Sequence, residues 1–140
     1  MNGLGTLIFP DSTRYTGHFV EDKMEGNGSI VYPDGTNYSG MFLNNQMEGK
    51  GTLFYSTGAI YKGEFSNNEI NGQGSLTYPD GSAYTGTFQS NKMHGFGTLS
   101  FPDGGRYIGE FRDDRMYGEG TMYYKDGTFE SGRFIDGQKK

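Results

Sequence analysis

The chain has 140 residues, 25 of them glycine, no cysteine and no tryptophan, and a formal net charge of −5. The missing cysteines exclude a disulfide framework and remove the commonest ligand of structural zinc, and the mild acidity leaves no basic tract for nucleic acid. No apolar run approaches the ~20 residues of a membrane-spanning helix, and no signal-peptide core follows Met1, so a cytoplasmic protein is expected.

The elements follow a 23-residue period from the start. Met1, Gly3, Gly5, Leu7 and Phe9 occupy the phases of Met24, Gly26, Gly28, Ile30 and Tyr32, so the chain opens in the second strand of a unit. Tyr15-x-Gly-x-Phe19 begins the first full unit, and the same pattern returns at Tyr38, Tyr61, Tyr84 and Tyr107 without insertion. Side chains alternate faces along a strand, which puts Tyr15, Gly17 and Phe19 on one face and Thr16 and His18 on the other. The pairs Glu21-Asp22, Asn44-Asn45, Asn67-Asn68, Ser90-Asn91 and Asp113-Asp114 come next. They tolerate left-handed φ and suit two-residue type I′ hairpin turns. A second strand follows, with Met24, Gly26, Gly28, Ile30 and Tyr32 alternating against Glu25, Asn27 and Ser29; Ile70 replaces the methionine in the third full unit. A turn such as Pro33-Asp34-Gly35 then closes the unit, proline presetting φ and glycine taking a positive φ. At the finish Gly132 and Phe134 keep phase, while Glu130 stands where a tyrosine belongs and Lys139 where a methionine belongs. Either the chain is a piece of a longer array or its terminal half-units act as caps, and the polar replacements favour some capping at the C-terminal end.

Self-similarity at this period predicts one repeat array over 1–140: a partial repeat 1–14, five full repeats over 15–129 and a partial repeat 130–140. Each copy is a β-hairpin, and hairpins joined by tight turns give an all-β, single-layer antiparallel meander without helix. Two strands per copy advance the array by ~10 Å, so about six copies predict an elongated solenoid or trough roughly 60 Å long. The glycines leave room for tyrosine and phenylalanine rings of neighbouring strands to lie over the backbone. A single layer must still cover its apolar face by curling, by a second copy or by a partner.

The consensus Tyr-x-Gly-x-Phe followed by Met-x-Gly-x-Gly-x-Leu-x-Tyr-Pro-Asp-Gly closely resembles the MORN (membrane occupation and recognition nexus) repeat, over essentially the whole chain. The resemblance implies a curled sheet with a groove for an extended or helical peptide. It makes Tyr15, Phe19, Tyr38, Phe42, Tyr61, Phe65, Tyr84, Phe88, Tyr107 and Phe111 the candidate partner-binding residues. As repeat aromatics these rings are expected to serve first as core, with exposed edges adding to binding.

Little in the sequence points to catalysis. His18 and His94 stand on different repeat phases with no second histidine or cysteine at ligand spacing, so no metal site or general base is expected. Gly26-Asn27-Gly28 lacks the strand-to-helix junction of a nucleotide loop. The serines and carboxylates form no nucleophile, base and orienting set, and no cofactor is implied. Asn27-Gly28-Ser29 and Asn37-Tyr38-Ser39 match the glycosylation sequon only as coincidences of a Ser- and Asn-rich repeat. Residues 1–105 carry 5 basic and 10 acidic side chains, and 106–140 carry 7 of each. The leading expectation is a non-enzymatic scaffold that binds protein partners along an aromatic groove and self-associates, as a homodimer formed near one end. MORN proteins commonly serve cytoskeletal and membrane-associated structures. A peripheral module for acidic phospholipids is one alternative, disfavoured by the charge balance because no cluster of 4–8 basic residues is present. A regulatory segment of a larger enzyme is another.

Overall fold

The computed structural model describes residues 2–140; Met1, assigned above to the methionine phase, lies outside the described residues. Thirteen strands follow in chain order as an open antiparallel meander, with the chain forming two compact units that divide between Glu69 and Ile70. The first holds β1 (Gly3–Ile8), β2 (Arg14–Val20), β3 (Lys23–Val31), β4 (Asn37–Leu43), β5 (Gln46–Phe54) and β6 (Ile60–Ser66). The second holds β7 (Glu69–Thr77) from its second residue on, β8 (Ala83–Gln89), β9 (Lys92–Ser100), β10 (Arg106–Arg112), β11 (Arg115–Tyr123), β12 (Phe129–Ile135) and the short β13 (Gln138–Lys139).

Turn chemistry sets this order. Asn44 and Asn45 have φ of 49° and 69°, and the other four hairpin pairs also have two positive φ values, as a type I′ turn requires. In the second kind of turn the Gly35 N–H donates to the Tyr32 carbonyl at 3.0 Å and the Tyr32 N–H to the Thr36 carbonyl at 2.8 Å. The Asp34 carboxylate accepts the Thr36 N–H at 2.9 Å. Asp80 and Asp126 do the same for Ser82 and Thr128 and also accept their hydroxyls. These hydrogen bonds hold both carboxyls below the usual carboxylate range.

The second strand of each unit departs from simple alternation. Gly17 pairs with Gly28 and Phe19 with Met24, so His18 alone on β2 faces Glu25, Gly26 and Asn27 on β3. The same shift lies between Gly40 and Phe42, between Gly86 and Phe88, and between Gly109 and Phe111. Gly26, at φ +72°, supplies the left-handed residue inside this bulge.

The core is a zipper of rings on one face of the sheet. Tyr15, Tyr38, Tyr61, Tyr84 and Tyr107 are wholly buried, and the phenylalanines of the same strands are at most 4% exposed. Tyr15 makes edge-to-face contacts with Phe19 at 5.1 Å and with Phe42 of the next hairpin at 4.9 Å. Tyr38 repeats this with Phe42 and Phe65, and Tyr84 and Tyr107 repeat it in the second unit. Each such pair contributes about 0.5–1.5 kcal/mol beyond its buried area. The Tyr15 ring lies over Gly28, and its hydroxyl donates to the His18 carbonyl at 2.7 Å. A residue with a Cβ at Gly28 would occupy the ring's place.

Candidate partner-binding grooves

The ten aromatic residues singled out by the repeat are all in this zipper, each under 5% exposed. Their polar atoms are occupied as well: the hydroxyls of Tyr38, Tyr61, Tyr84 and Tyr107 donate to the carbonyls of Met41, Glu64, Thr87 and Glu110. Burial pushes the phenols of Tyr38, Tyr61 and Tyr84 up to about 12 against the opposing pull of those hydrogen bonds. The rings thus lie beneath the side chains around them.

Those side chains enclose a groove of about 840 Å³ on the core face of the first unit. Met24, Met47, Ile30 and Phe42 form its floor, Phe42 being the member of the ten that lines it. Phe9, Pro10 and Tyr32, from the loops after β1 and β3, line one side, and Asp22, Asn45 and Asn68, from the hairpin turns, line the other. Methionine fits such a floor because its flexible thioether adapts to varied apolar surfaces. Tyr32 is half-buried, and burial raises its phenol above the ordinary value.

The hairpin-turn residues do more than tolerate positive φ. Asn45 accepts the Met24 N–H on its side-chain oxygen at 2.9 Å and donates its own N–H to the Met24 carbonyl at 3.1 Å. Asn68 does the same for Met47, Asn91 for Ile70 and Asp114 for Met93. Each hairpin is thus stapled to the methionine position of the hairpin before it, and in the first unit the staples hold the groove floor. Gly137 keeps only the backbone bond, to the Met116 carbonyl at 3.1 Å. The sequence carried a signal for this, an Asn or Asp fixed 21 residues after the methionine phase, but turn preference alone accounted for it.

No group of three or more His, Cys, Asp or Glu side chains is placed to hold a metal among the described residues. Nor, among the described residues, is there a helix long and apolar enough to cross a membrane. The site is a surface groove on a β-hairpin repeat array, which defines an all-β repeat protein. The chain belongs to the MORN repeat family: its repeat pattern matches 1–14, 15–37, 38–60, 61–83, 84–106 and 107–129. Among curated proteins nothing matches significantly. Among solved structures the chain is similar to the TCP domain of SAS-4 (dCPAP) from Drosophila melanogaster, solved in complex with a proline-rich motif of Ana2 (dSTIL). That likeness has 17% identity and a TM-score of 0.52, and covers 99% of this chain and 82% of that one. It is also similar to the TCP10 domain of Danio rerio CPAP, with 19% identity and a TM-score of 0.53 over 99% of this chain and 68% of that one. At these identities the likeness is one of fold.

Proposed function

We propose that this chain is a non-enzymatic scaffold whose core-face groove in the first unit binds an extended, proline-rich segment of a protein partner. The observation that carries the reading is the groove itself: an apolar floor of Met24, Met47 and Ile30, aromatic side chains at Phe9 and Tyr32, and a polar rim of Asp22, Asn45 and Asn68. Aromatic-lined grooves suit polyproline II segments, which arrive pre-ordered and lose little entropy on docking. The similar fold of SAS-4, which was solved with a proline-rich motif, supports the class of ligand.

The test is an NMR titration of the labelled chain with a panel of short synthetic proline-rich peptides. Binding should shift the methyl signals of Met24, Met47 and Ile30. Tyr32→Ala should weaken it by about tenfold, the order of a lost aromatic anchor, with the far-UV spectrum unchanged. Groove signals that stay still at millimolar concentrations of every peptide would refute the reading.

A further inference from the structure

The face opposite the rings carries a second recognition surface. Strand register aligns its side chains into rows running across the strands. In the first unit one row is Ile8, Arg14, Val31, Asn37 and Phe54, paired in that order from β1 to β5. A second row holds Leu4 beside His18, Asn27 beside Met41, and Lys50 beside Glu64. Between them runs a row of small hydroxyl residues, Thr6, Thr16, Ser29, Ser39 and Thr52. The outer rows are four residues apart along each strand, about 13 Å. Small side chains between taller ones leave a trough, and a cavity of about 420 Å³ opens there, lined by Leu4, His18, Asn27 and the hydroxyls of Thr16, Ser29 and Ser39.

Five of the ten wall residues on β1 to β5 are apolar and exposed: Leu4 is 75% exposed, Ile8 64%, Val31 45%, Met41 40% and Phe54 38%. Exposed apolar side chains gathered on one face mark an interaction surface. Within β1 to β5 the charged members of the paired rows, Arg14 and Lys50, are basic. The basic side chains of this unit, Arg14, Lys23, Lys50 and Lys62, all stand on this face, Lys62 beside Thr52 at the β6 end of the hydroxyl row. Of its carboxylates, Asp11, Glu21, Asp22 and Asp34 stand in turns, Glu25 and Glu48 lie at the bulges, Glu69 opens β7, and Glu64 stands on this face beside Lys50, on β6 and so beyond the β1–β5 span.

We propose that this trough docks an acidic amphipathic helix of a partner protein, laid across β1 to β5. The width matches a helix of about 10–12 Å, and four strand spacings of about 4.8 Å give a length of about 19 Å, or about 13 helical residues. An apolar stripe on the helix would pack between the walls, and flanking Glu or Asp would meet Arg14, His18 and Lys50. A flat anionic bilayer is the poorer fit, because it would also press against the acidic turns at the strand ends, whereas a narrow helix lies inside them. In the second unit the equivalent rows contain Glu110, at the phase of Glu64, and a second carboxylate, Glu119, at the phase of Lys50, and Ile108 interrupts the hydroxyl row, so that unit serves as an internal control.

The experiment uses the full chain and a designed helix with leucine at i, i+3, i+4 and i+7 and glutamate on both flanks. Saturable binding is expected, with amide shifts at Thr16, Ser29 and Ser39. Arg14→Glu with Lys50→Glu should weaken it by roughly tenfold, while Arg106→Glu with Arg133→Glu, the same charge change on the second unit, should leave it within about twofold. Val31→Ser with Met41→Ser should weaken it without lowering the melting temperature, because both side chains are exposed. The inference fails if a helix with lysine flanks binds equally, if the shifts map to Met24 and Met47 instead, if no binding is seen at millimolar helix, or if phosphatidylserine vesicles compete the helix off.

Discussion

Replacing Gly28 by alanine tests whether the tyrosine zipper holds each hairpin. A methyl at Gly28 would lie 2.5 Å from the Tyr15 Oη and 2.6 and 2.7 Å from ring carbons, far inside the ~3.5–4.0 Å of favourable contact. The ring has no room to retreat. It is wholly buried, it is gripped edge-on by Phe19 and Phe42, and its hydroxyl is tied to His18. Forcing it aside costs about 1–3 kcal/mol in overpacking, about 1 kcal/mol for the hydroxyl bond and part of two edge-to-face pairs. The expected loss is therefore about 3–5 kcal/mol. Gly35→Ala is the matched control: nothing lies within 4 Å of its methyl, and only the strain at φ +94° remains, about 1 kcal/mol. Urea unfolding followed by far-UV circular dichroism reads both the midpoint and the slope, and the slope matters because a repeat array can unfold in parts. In a Tyr15→Ala background Gly28→Ala should lose most of its effect. The reasoning is refuted if Gly28→Ala is no more destabilising than Gly35→Ala, or if its effect is undiminished without the ring.

The staple between hairpins gives a smaller effect. Asn68→Gly keeps the positive φ but removes the acceptor for the Met47 N–H, and should lower stability by about 1 kcal/mol. The neighbouring Asn67→Gly should stay within a few tenths of wild type in the same assay, and equal losses would contradict the staple. High pH gives a second, independent reading. Tyr38, Tyr61 and Tyr84 titrate near 12 when folded against about 10 when unfolded. The unfolded chain therefore releases protons that the folded chain retains, and stability is intact below pH 10 and falls as pH rises toward 12. At pH 11 each phenol contributes of the order of 1 kcal/mol against folding. Phenolate absorbance should rise together with loss of the β-sheet spectrum, and full ionisation near pH 10 with the sheet intact would refute the buried phenols.

Much of this fold was legible because each repeat position has a local cause. The paired Asn and Asp residues specify their own turns, and the phase shared by Tyr15 and Gly28 places ring over backbone. The bulge at Gly26 was hidden for a specific reason: it sets three residues against one, and the two extra residues leave the parity of the strand unchanged. Met24, Gly28 and Ile30 therefore keep the face that simple alternation assigns them. The groove was less legible than the ladder beneath it. Whether an aromatic edge is open depends on the ring that the next hairpin brings against it, and Phe42 closes Tyr15 from outside its own unit. Of the ten rings that the sequence reading named, Phe42 lines the groove, together with Met24, Tyr32 and Asn45 around it.

The two faces also differ in what they permit to vary, and the copies within this one chain display it. On the core face the tyrosine phase runs Tyr15, Tyr38, Tyr61, Tyr84 and Tyr107 unchanged through the five full repeats, Glu130 taking it in the last partial one, because another side chain inside the array would lose the fit over glycine, the hydroxyl bond and two ring contacts together. On the outer face the phase of Ile8 reads Val31, Phe54, Thr77, Ser100 and Tyr123 in the following copies. None of these positions enters the ring zipper, so exchanging them costs little stability while redrawing the surface that a partner meets. One side of each strand can therefore vary without disturbing the side that folds it. At one outer phase the copies read His18, Met41, Glu64, Thr87, Glu110 and Arg133, so a single fold carries a different outer surface in each copy.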